Sequence, residues 1–227
     1  ETVQLLKDVS ELSGEITDIP AEGSLLPNTY DYRRNESRDA VVFRLQEALI
    51  LTIIDLCKLN PDILPLSFPL LKDRPCGAHP LENVGDVLTL ASIVEKETGV
   101  AGERNRVAGV FINRLKRGIA LQTDPTVIYA ITKGKHKNEG KGPLGRRLLR
   151  KDLEIDNPYN TYKYPGLPPG PIANPGRASI EAVLTPEEHD YIFFVANGTG
   201  GHIFARTLAE HNRNVAEWRK IRRSQRK

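Results

Sequence analysis

Apolar residues recur at helical spacing along most of the chain. Within residues 38–59, Val41, Leu45 and Leu49 share one face, which predicts a long amphipathic helix. The same spacing predicts further helices over 84–98, 102–118, 121–132 and 177–189, and from about 207 to the C-terminus. A shorter helix is expected within residues 1–19.

Strand signals are short and few. The segment DYIFFVANGTGGHIFAR has Asn-Gly and Gly-Gly pairs between two apolar runs, which predicts an antiparallel hairpin. Strand-like pieces are also predicted around Leu25–Leu26 and Tyr30–Tyr32, within the turn-rich stretch 20–32. The pattern therefore predicts an α+β fold with a helical core and a small antiparallel β region.

Three segments between the predicted helices lack helical spacing. Residues 60–83 carry five prolines and are either a linker or a loop that covers a cleft. Residues 133–157 are basic and glycine-rich at first, which predicts an exposed excursion. Residues 157–176 combine many prolines with tyrosine and asparagine, which predicts a stiff loop. Aromatic rings stack on sugar faces and amides bond to hydroxyls, so this loop suits carbohydrate; a purely structural loop is the alternative.

Two carboxylates lie close together in the helical segment LTLASIVEKETG. Leu90, Ile93 and Val94 form an apolar stripe, and Glu97 continues it at position i+7. Glu95 lies on the other side of the helix, so the two side chains are not expected to share a site. A carboxyl beside apolar surface keeps its proton near neutral pH, as a general acid must. The alternative is that Glu97 reaches solvent or meets an arginine.

Other candidate positions carry weaker signals. Asp124 is predicted to be the N-cap of the helix over 121–132, with Pro125 as its first residue. His202 falls on the second strand of the hairpin, where a structural role is the simplest interpretation. Cys57 and Cys76 fit no metal or redox spacing, and they either form a disulfide or remain two buried thiols.

Composition and charge exclude several classes of protein. The formal charge of +3 does not indicate nucleic acid, and no apolar stretch approaches the roughly 20 residues of a membrane helix. Basic residues gather in RNVAEWRKIRRSQRK, expected to be a solvated helix end or a contact with an anionic surface. The chain lacks methionine altogether, so we expect it to be a segment of a longer protein.

Six runs occur along the chain in the order AEGSLLPNTYDY, LASIVEKETG, ERNRVAGVFINRL, LQTDPTVIYA, YNTYKYPGLPPGPIANPG and YIFFVANGTGGHIFARTLAEHN. Taken together in this order, they resemble the endolytic murein transglycosylase family, also called YceG-like. Two places depart from the family pattern. Residues 57–83 match poorly, and position 119 is Ile where the family usually has Met.

The resemblance implies a fold, a location and an activity. It implies a lysozyme-like catalytic core over 84–227, with 1–83 leading from an upstream membrane helix and a LysM-like subdomain. The family cleaves the β-1,4 bond after N-acetylmuramic acid inside nascent peptidoglycan strands, leaves 1,6-anhydro ends and so limits strand length. The implied location is the bacterial inner membrane, with the catalytic part facing the periplasm. Peptidoglycan synthases are candidate partners.

The resemblance also implies a set of site residues. The family's catalytic glutamate lies in the EKE stretch, and we assign it to Glu97, with Glu95 in reserve. A single glutamate acts as acid and then as base, and no metal or organic cofactor is required. The residues expected to bind the glycan are Asn113, Gln122, Asp124, Tyr159, Asn160, Tyr162, Asn174 and His202. Asn212 is expected to support the site or the fold.

Two other functions stay open from the sequence. A hydrolytic muramidase would need a second carboxylate across the cleft, for which Asp124 is the candidate. A non-catalytic module that binds peptidoglycan would keep its affinity without Glu97. Nucleic acid is not expected as a partner, because only the basic C-terminal segment favours it.

Overall fold

The computed structural model describes residues 2–60, 68–135 and 143–224. The α-helices in this part are α1 Thr2–Asp8, α2 Arg38–Leu56, α3 Phe68–Leu71, α4 Val84–Glu97, α5 Arg104–Lys116, α6 Asp124–Thr132, α7 Arg177–Leu184 and α8 Leu208–Ser224. Two 3₁₀ turns span Ala101–Glu103 and Arg150–Glu154, and the strands are β1 Phe193–Ala196 and β2 His202–Ala205. The predicted α+β class, with a helical core and a small antiparallel sheet, is confirmed.

Three predicted segments lie partly outside the described residues. They are the connection over 60–83, the excursion over 133–157 and the basic C-terminal segment. The parts outside the described chain are residues 61–67 of the first segment, 136–142 of the second and 225–227 of the third.

Helix α4 is the centre of the core. Leu88, Leu90 and Ile93 are fully buried, and the helix packs against α5, α6 and α7. Its start is fixed by Asn83, whose side chain accepts a hydrogen bond from the Asp86 amide at 2.9 Å. The polar end of α4, which carries the two glutamates, therefore projects from a rigid apolar scaffold.

Helix α2 contributes to two apolar clusters. Leu49, Ile50 and Ile53 belong to the main core around α4. A second cluster lies toward the start of α2 and consists of Leu12, Ile16, Leu25, Val41, Val42 and Leu45. The division of the chain into 1–83 and 84–227 stays a prediction.

The strands predicted around Leu25–Leu26 and Tyr30–Tyr32 are absent, because no neighbouring strand pairs with these residues. Leu25 and Leu26 are buried as their apolar side chains suggest, but the Leu26 amide donates to the Leu45 carbonyl at 3.1 Å. The prediction of strand structure here was wrong.

Helix α7 ends at Leu184, five positions before the predicted end at 189. Pro186 cannot donate a backbone hydrogen bond and disfavours helical geometry at Thr185, so the helix stops there. The freed segment turns back along α5, where the Glu187 amide donates to the Asn105 carbonyl at 3.0 Å.

The predicted hairpin is confirmed, with Phe193 paired to Ala205 and Ala196 paired to His202 in antiparallel register. Helix α8 packs against both strands. None of the helices in the described ranges is long and apolar enough to cross a membrane.

Candidate active site

A cleft of about 480 Å³ opens at the C-terminal end of α4. Its walls come from α5, the segment before α6, β1 and the start of α8, with apolar surface from Phe111, Phe193 and Phe194. The polar residues that line it are Glu97, Arg114, Gln122, Thr123, Asp124, Tyr162, His211 and Asn212. The cleft thus combines ring surface with a few convergent polar groups, as ligand sites do.

Glu97 is the half-buried carboxyl of this cleft. Its Oε1 accepts a hydrogen bond from the Thr123 hydroxyl. Its Oε2 has no hydrogen-bond partner among the described residues and is not fully buried. One oxygen is therefore held in place while the other is open to the cleft.

Burial raises the pKa of Glu97 above its ordinary value of 4.5. The Thr123 hydroxyl lowers this pKa and the charge of Asp124 raises it, while the electrostatic effects of His202 and Arg114 lower it. Burial outweighs the opposing effects, so the carboxyl keeps its proton at a higher pH than a solvated glutamate.

A group of buried threonines fixes the partner of Glu97. The Thr123 amide donates to the Thr161 hydroxyl at 3.1 Å, and the Thr126 and Thr161 hydroxyls are 2.8 Å apart. Gln122 precedes this group with a φ of 49°, and its amide donates to the Thr161 carbonyl at 3.0 Å. A non-glycine residue held in this region requires local support, so the segment is a rigid wall of the cleft.

Asp124 lines the cleft but is not the N-cap of α6. Thr123 occupies the cap position with extended backbone angles, and Asp124 is the first helical residue, followed by Pro125. The prediction was wrong by one residue, because the Asp124 carboxylate accepts the Tyr162 hydroxyl at 2.6 Å rather than a backbone amide of its own helix. Burial, followed by this hydrogen bond, raises the pKa of Tyr162.

Glu95 points away from the cleft, as predicted from its position on the side of the helix opposite to Glu97. Its Oε2 accepts hydrogen bonds from the Gly176 amide at 3.1 Å and the Ser179 hydroxyl at 2.6 Å. These groups belong to the start of α7, where a negative charge is favourable. Glu95 borders a separate cavity of about 550 Å³.

Several predicted glycan-binding residues lie outside the lining of the cleft. The Asn113 side chain donates to the His189 carbonyl at 2.6 Å and the Tyr191 carbonyl at 3.0 Å. Asn160 is fully buried and donates to the Leu153 and Ile155 carbonyls, both at 2.9 Å. These amides hold loops together rather than face the opening.

Tyr159 and Asn174 were also predicted to bind the glycan, but their contacts lie outside the cleft. Tyr159 packs against Tyr129, with ring centroids 4.9 Å apart. Asn174 accepts from the Leu25 amide at 3.2 Å and borders the separate cavity beside Glu95.

His202 is tied to Glu103. The Glu103 carboxylate accepts the His202 amide at 3.0 Å and lies 2.8 Å from the His202 Nδ1. Burial acts to raise the pKa of Glu103, but the two hydrogen bonds from His202, together with the electrostatic effects of His202 and Arg106, outweigh it and lower the pKa. This pair fixes β2 beside the cleft.

Three polar groups that line the cleft were not predicted from the sequence. Thr123 and Arg114 belong to the runs that resemble the family, and each lies next to a residue predicted to bind the glycan. Nothing in the local pattern, however, indicates that a threonine or a helical arginine faces a cleft. His211 stacks on Phe193 with ring centroids 5.0 Å apart, and its buried Nδ1 has no partner among the described residues. Burial lowers the pKa of His211, followed in size by the charge of Arg114.

No group of three His, Cys, Asp or Glu side chains within residues 2–60, 68–135 and 143–224 could hold a metal ion.

Comparison with known proteins decides the family. A model of the YceG-like family matches residues 2–217. This chain belongs to the YceG-like family. Within it, an endolytic murein transglycosylase of Bacillus subtilis is 40% identical over 194 residues, which cover 86% of this chain and 47% of that protein. A Streptococcus pneumoniae protein of the same name is 32% identical over 202 residues, 86% of this chain and 32% of that protein.

The YceG-like fold has also been seen in a crystal. A yceG-like protein from Listeria monocytogenes superposes with a TM-score of 0.66 at 38% identity, covering 88% of this chain and 57% of that one. The chain spans about half, or less, of the length of the two curated relatives.

Proposed function

We propose that this chain is the catalytic part of an endolytic lytic transglycosylase that cleaves peptidoglycan glycan strands. One observation carries the proposal: Glu97 is a half-buried carboxyl with a raised pKa, one anchored oxygen and one oxygen open to an aromatic-walled cleft. The names of the relatives support the same substrate.

The proposed reaction uses Glu97 twice. Its proton passes from Oε2 to the glycosidic oxygen, so the bond after N-acetylmuramic acid breaks and the departing sugar leaves as an alcohol. The positive charge that develops at the anomeric carbon is relieved by the neighbouring acetamide. The Glu97 carboxylate then takes the proton of the muramoyl 6-hydroxyl, whose oxygen closes on the anomeric carbon and leaves a 1,6-anhydro end.

The hydrolytic alternative has a specific observation behind it. Asp124 lines the same cleft as Glu97 and raises the pKa of Glu97 through its charge. A muramidase would use such a second carboxylate to hold a water or the sugar. Asp124 is committed to the Tyr162 hydroxyl at 2.6 Å, which favours a supporting role over an attacking one.

The biological setting belongs to the same proposal. We place the cleft on the outer side of the bacterial inner membrane, in the periplasm where that compartment exists, acting on nascent strands and limiting their length. The Cys57–Cys76 disulfide supports an oxidising compartment of this kind. Peptidoglycan synthases are the proposed protein partners.

The experiment that tests the reaction is digestion of uncrosslinked glycan in heavy-oxygen water, followed by mass spectrometry of the ends. The proposal predicts internal cleavage with 1,6-anhydro ends that carry no label from water. Labelled reducing ends would establish the muramidase instead. Glycan that binds without being cut would establish a binding module.

A further inference from the structure

Arg114 is a buried cation without an ionic partner. It is 8% exposed, and within the described residues no carboxylate lies at ion-pair distance from its guanidinium. Its Nε donates to the Ile192 carbonyl at 2.6 Å, and its Nη1 donates to the Ala120 and Leu121 carbonyls at 3.1 and 2.8 Å. Buried charges are normally paired, so the missing partner calls for an explanation.

The guanidinium is held in one orientation with one nitrogen left over. The three carbonyl bonds fix its plane, and the Phe193 ring lies 5.2 Å from the Arg114 Cζ. Nη2 has no partner in the described part of the chain and is not a fully buried atom. Arg114 lines the same cleft as Glu97, so we take the Nη2 donors to be accessible from that cleft.

Fixed donors of this kind are suited to bind oxygen. A guanidinium that is already anchored loses little side-chain freedom when it binds a ligand, and the Nη2 of Arg114 still offers two N–H donors that point in different directions. Neither Glu97 nor Asp124, the two carboxyl groups that line the cleft, lies at ion-pair distance from Arg114, and the Asp124 carboxylate accepts the Tyr162 hydroxyl. The acceptor for Arg114 is therefore expected to come from the ligand.

We propose that Arg114 is a substrate-binding residue whose Nη2 donates hydrogen bonds to a carbonyl oxygen of the glycan and so places the sugar against Glu97. The inference rests on the proposed function. Two parts of the muramoyl sugar carry such an oxygen: its acetamide group, and its lactyl group, which is a carboxylate when free and an amide when a peptide is attached.

The test is made in Glu97→Gln protein, which allows binding to be measured without turnover. Calorimetry gives the affinities for chitin-type oligosaccharides, whose sugars carry acetamides, and for cellulose-type oligosaccharides of equal length, which carry hydroxyls instead. A second pair compares peptidoglycan strands with a free lactyl carboxylate and strands that bear peptides. Each result is the ratio of two affinities measured on the same protein sample. A lower fraction of folded protein affects both affinities equally, so it cancels from the ratio.

Adding Arg114→Gln is expected to reduce one of these ratios about tenfold, the value of a hydrogen bond to a charged group. A fall in the acetamide ratio assigns Nη2 to the acetamide, and a fall in the lactyl ratio assigns it to the lactyl group. If Arg114→Gln fails to fold, Arg114→Lys replaces it in the test. Lysine keeps the charge but has no Nη2, so Arg114→Lys is expected to lower the same ratio.

Arg106→Gln on the same helix is the matched control, because Arg106 binds Glu187 at 2.9 Å and does not line the cleft. Both ratios should stay unchanged in this variant. Unchanged ratios in the Arg114 variants, with glycan still bound, would overturn the role of Arg114 alone. If the Arg114-intact protein binds none of the four glycans, the proposed function fails, and the inference fails with it.

Discussion

The Thr123 hydroxyl is the hydrogen-bond donor that holds Glu97. Because this bond lowers the pKa of Glu97, Thr123→Val should raise that pKa further and move the basic limb of the pH–rate profile to higher pH. Poorer placement of the carboxyl should reduce the maximal rate about tenfold, the value of one hydrogen bond near a reacting group. Thr123→Ser keeps the hydroxyl and should restore both. A Thr123→Val profile that overlays the wild type would contradict the assignment.

The raised pKa of Glu97 also affects stability. A carboxyl whose pKa is higher in the folded than in the unfolded protein binds extra proton on folding, so its contribution falls as pH rises above 4.5. Glu97→Gln cannot lose a proton and should be more stable than the wild type at neutral pH, by on the order of 1 kcal/mol.

Urea unfolding of both proteins over a pH series measures this difference. The contributions of other titrating groups cancel in the comparison, and the two proteins should converge below the ordinary pKa of the carboxyl. A difference that does not depend on pH would show that Glu97 is not the group with the raised pKa.

Part of the site could be predicted from local pattern, and part could not. The helical count separates Glu97 from Glu95 because both lie on one regular helix whose buried face is visible in the sequence. Thr123 and Arg114 escape such reasoning, because their roles depend on contacts with distant segments. Asn113 and Asn160 are polar residues in the matching runs, but their amides satisfy buried carbonyls.

At the scale of elements, the close approach of α5 to the segment after α7 depends on Gly109. A Cβ atom there would lie 2.5 Å from the Glu187 carbonyl oxygen and 2.7 Å from His189 Nε2. Gly109→Ala should therefore destabilise the protein by about 1–3 kcal/mol, although alanine favours helix.

Gly102→Ala is the matched control, because a Cβ atom at Gly102 would meet nothing within 4 Å. That substitution should be neutral or slightly stabilising. Denaturant midpoints compare the two variants, and equal midpoints would contradict the packing of this segment on α5.

Helices were more predictable than the connections between them. The periodic apolar stripes of α2, α4 and α5 fix their positions closely, and proline explains why α7 is shorter than its pattern. The pieces around Leu25 and Tyr30 look like strands because burial, not pairing, selects their apolar residues. A sequence pattern reports burial directly, whereas a strand also requires a partner elsewhere in the chain.

At the scale of the whole molecule, one covalent link joins the end of α2 to the segment before α4. Cys57 and Cys76 form a disulfide across 19 positions, which settles the alternative that the sequence left open. Closing a loop of this size should stabilise the fold by about 3 kcal/mol, mainly by restricting the unfolded chain. The double variant Cys57→Ala, Cys76→Ala should therefore unfold at lower urea concentration.

Glycan cleavage by this double variant should persist under conditions where it remains folded, because neither cysteine lines the cleft. The reduced wild type is the companion sample, and it should unfold at the same urea concentration as the double variant. A double variant as stable as the oxidised wild type would contradict the link.

The most direct test of the central claim compares Glu97→Gln with Glu95→Gln on uncrosslinked glycan. The two substitutions are identical in chemistry and two residues apart, but only Glu97 lines the cleft. Glu97→Gln should slow the release of 1,6-anhydro fragments by about 10²–10⁴-fold, the contribution of a general acid. Glu95→Gln should cleave within a few-fold of the wild type. Anhydro products that persist in Glu97→Gln and disappear in Glu95→Gln would contradict this account of the site.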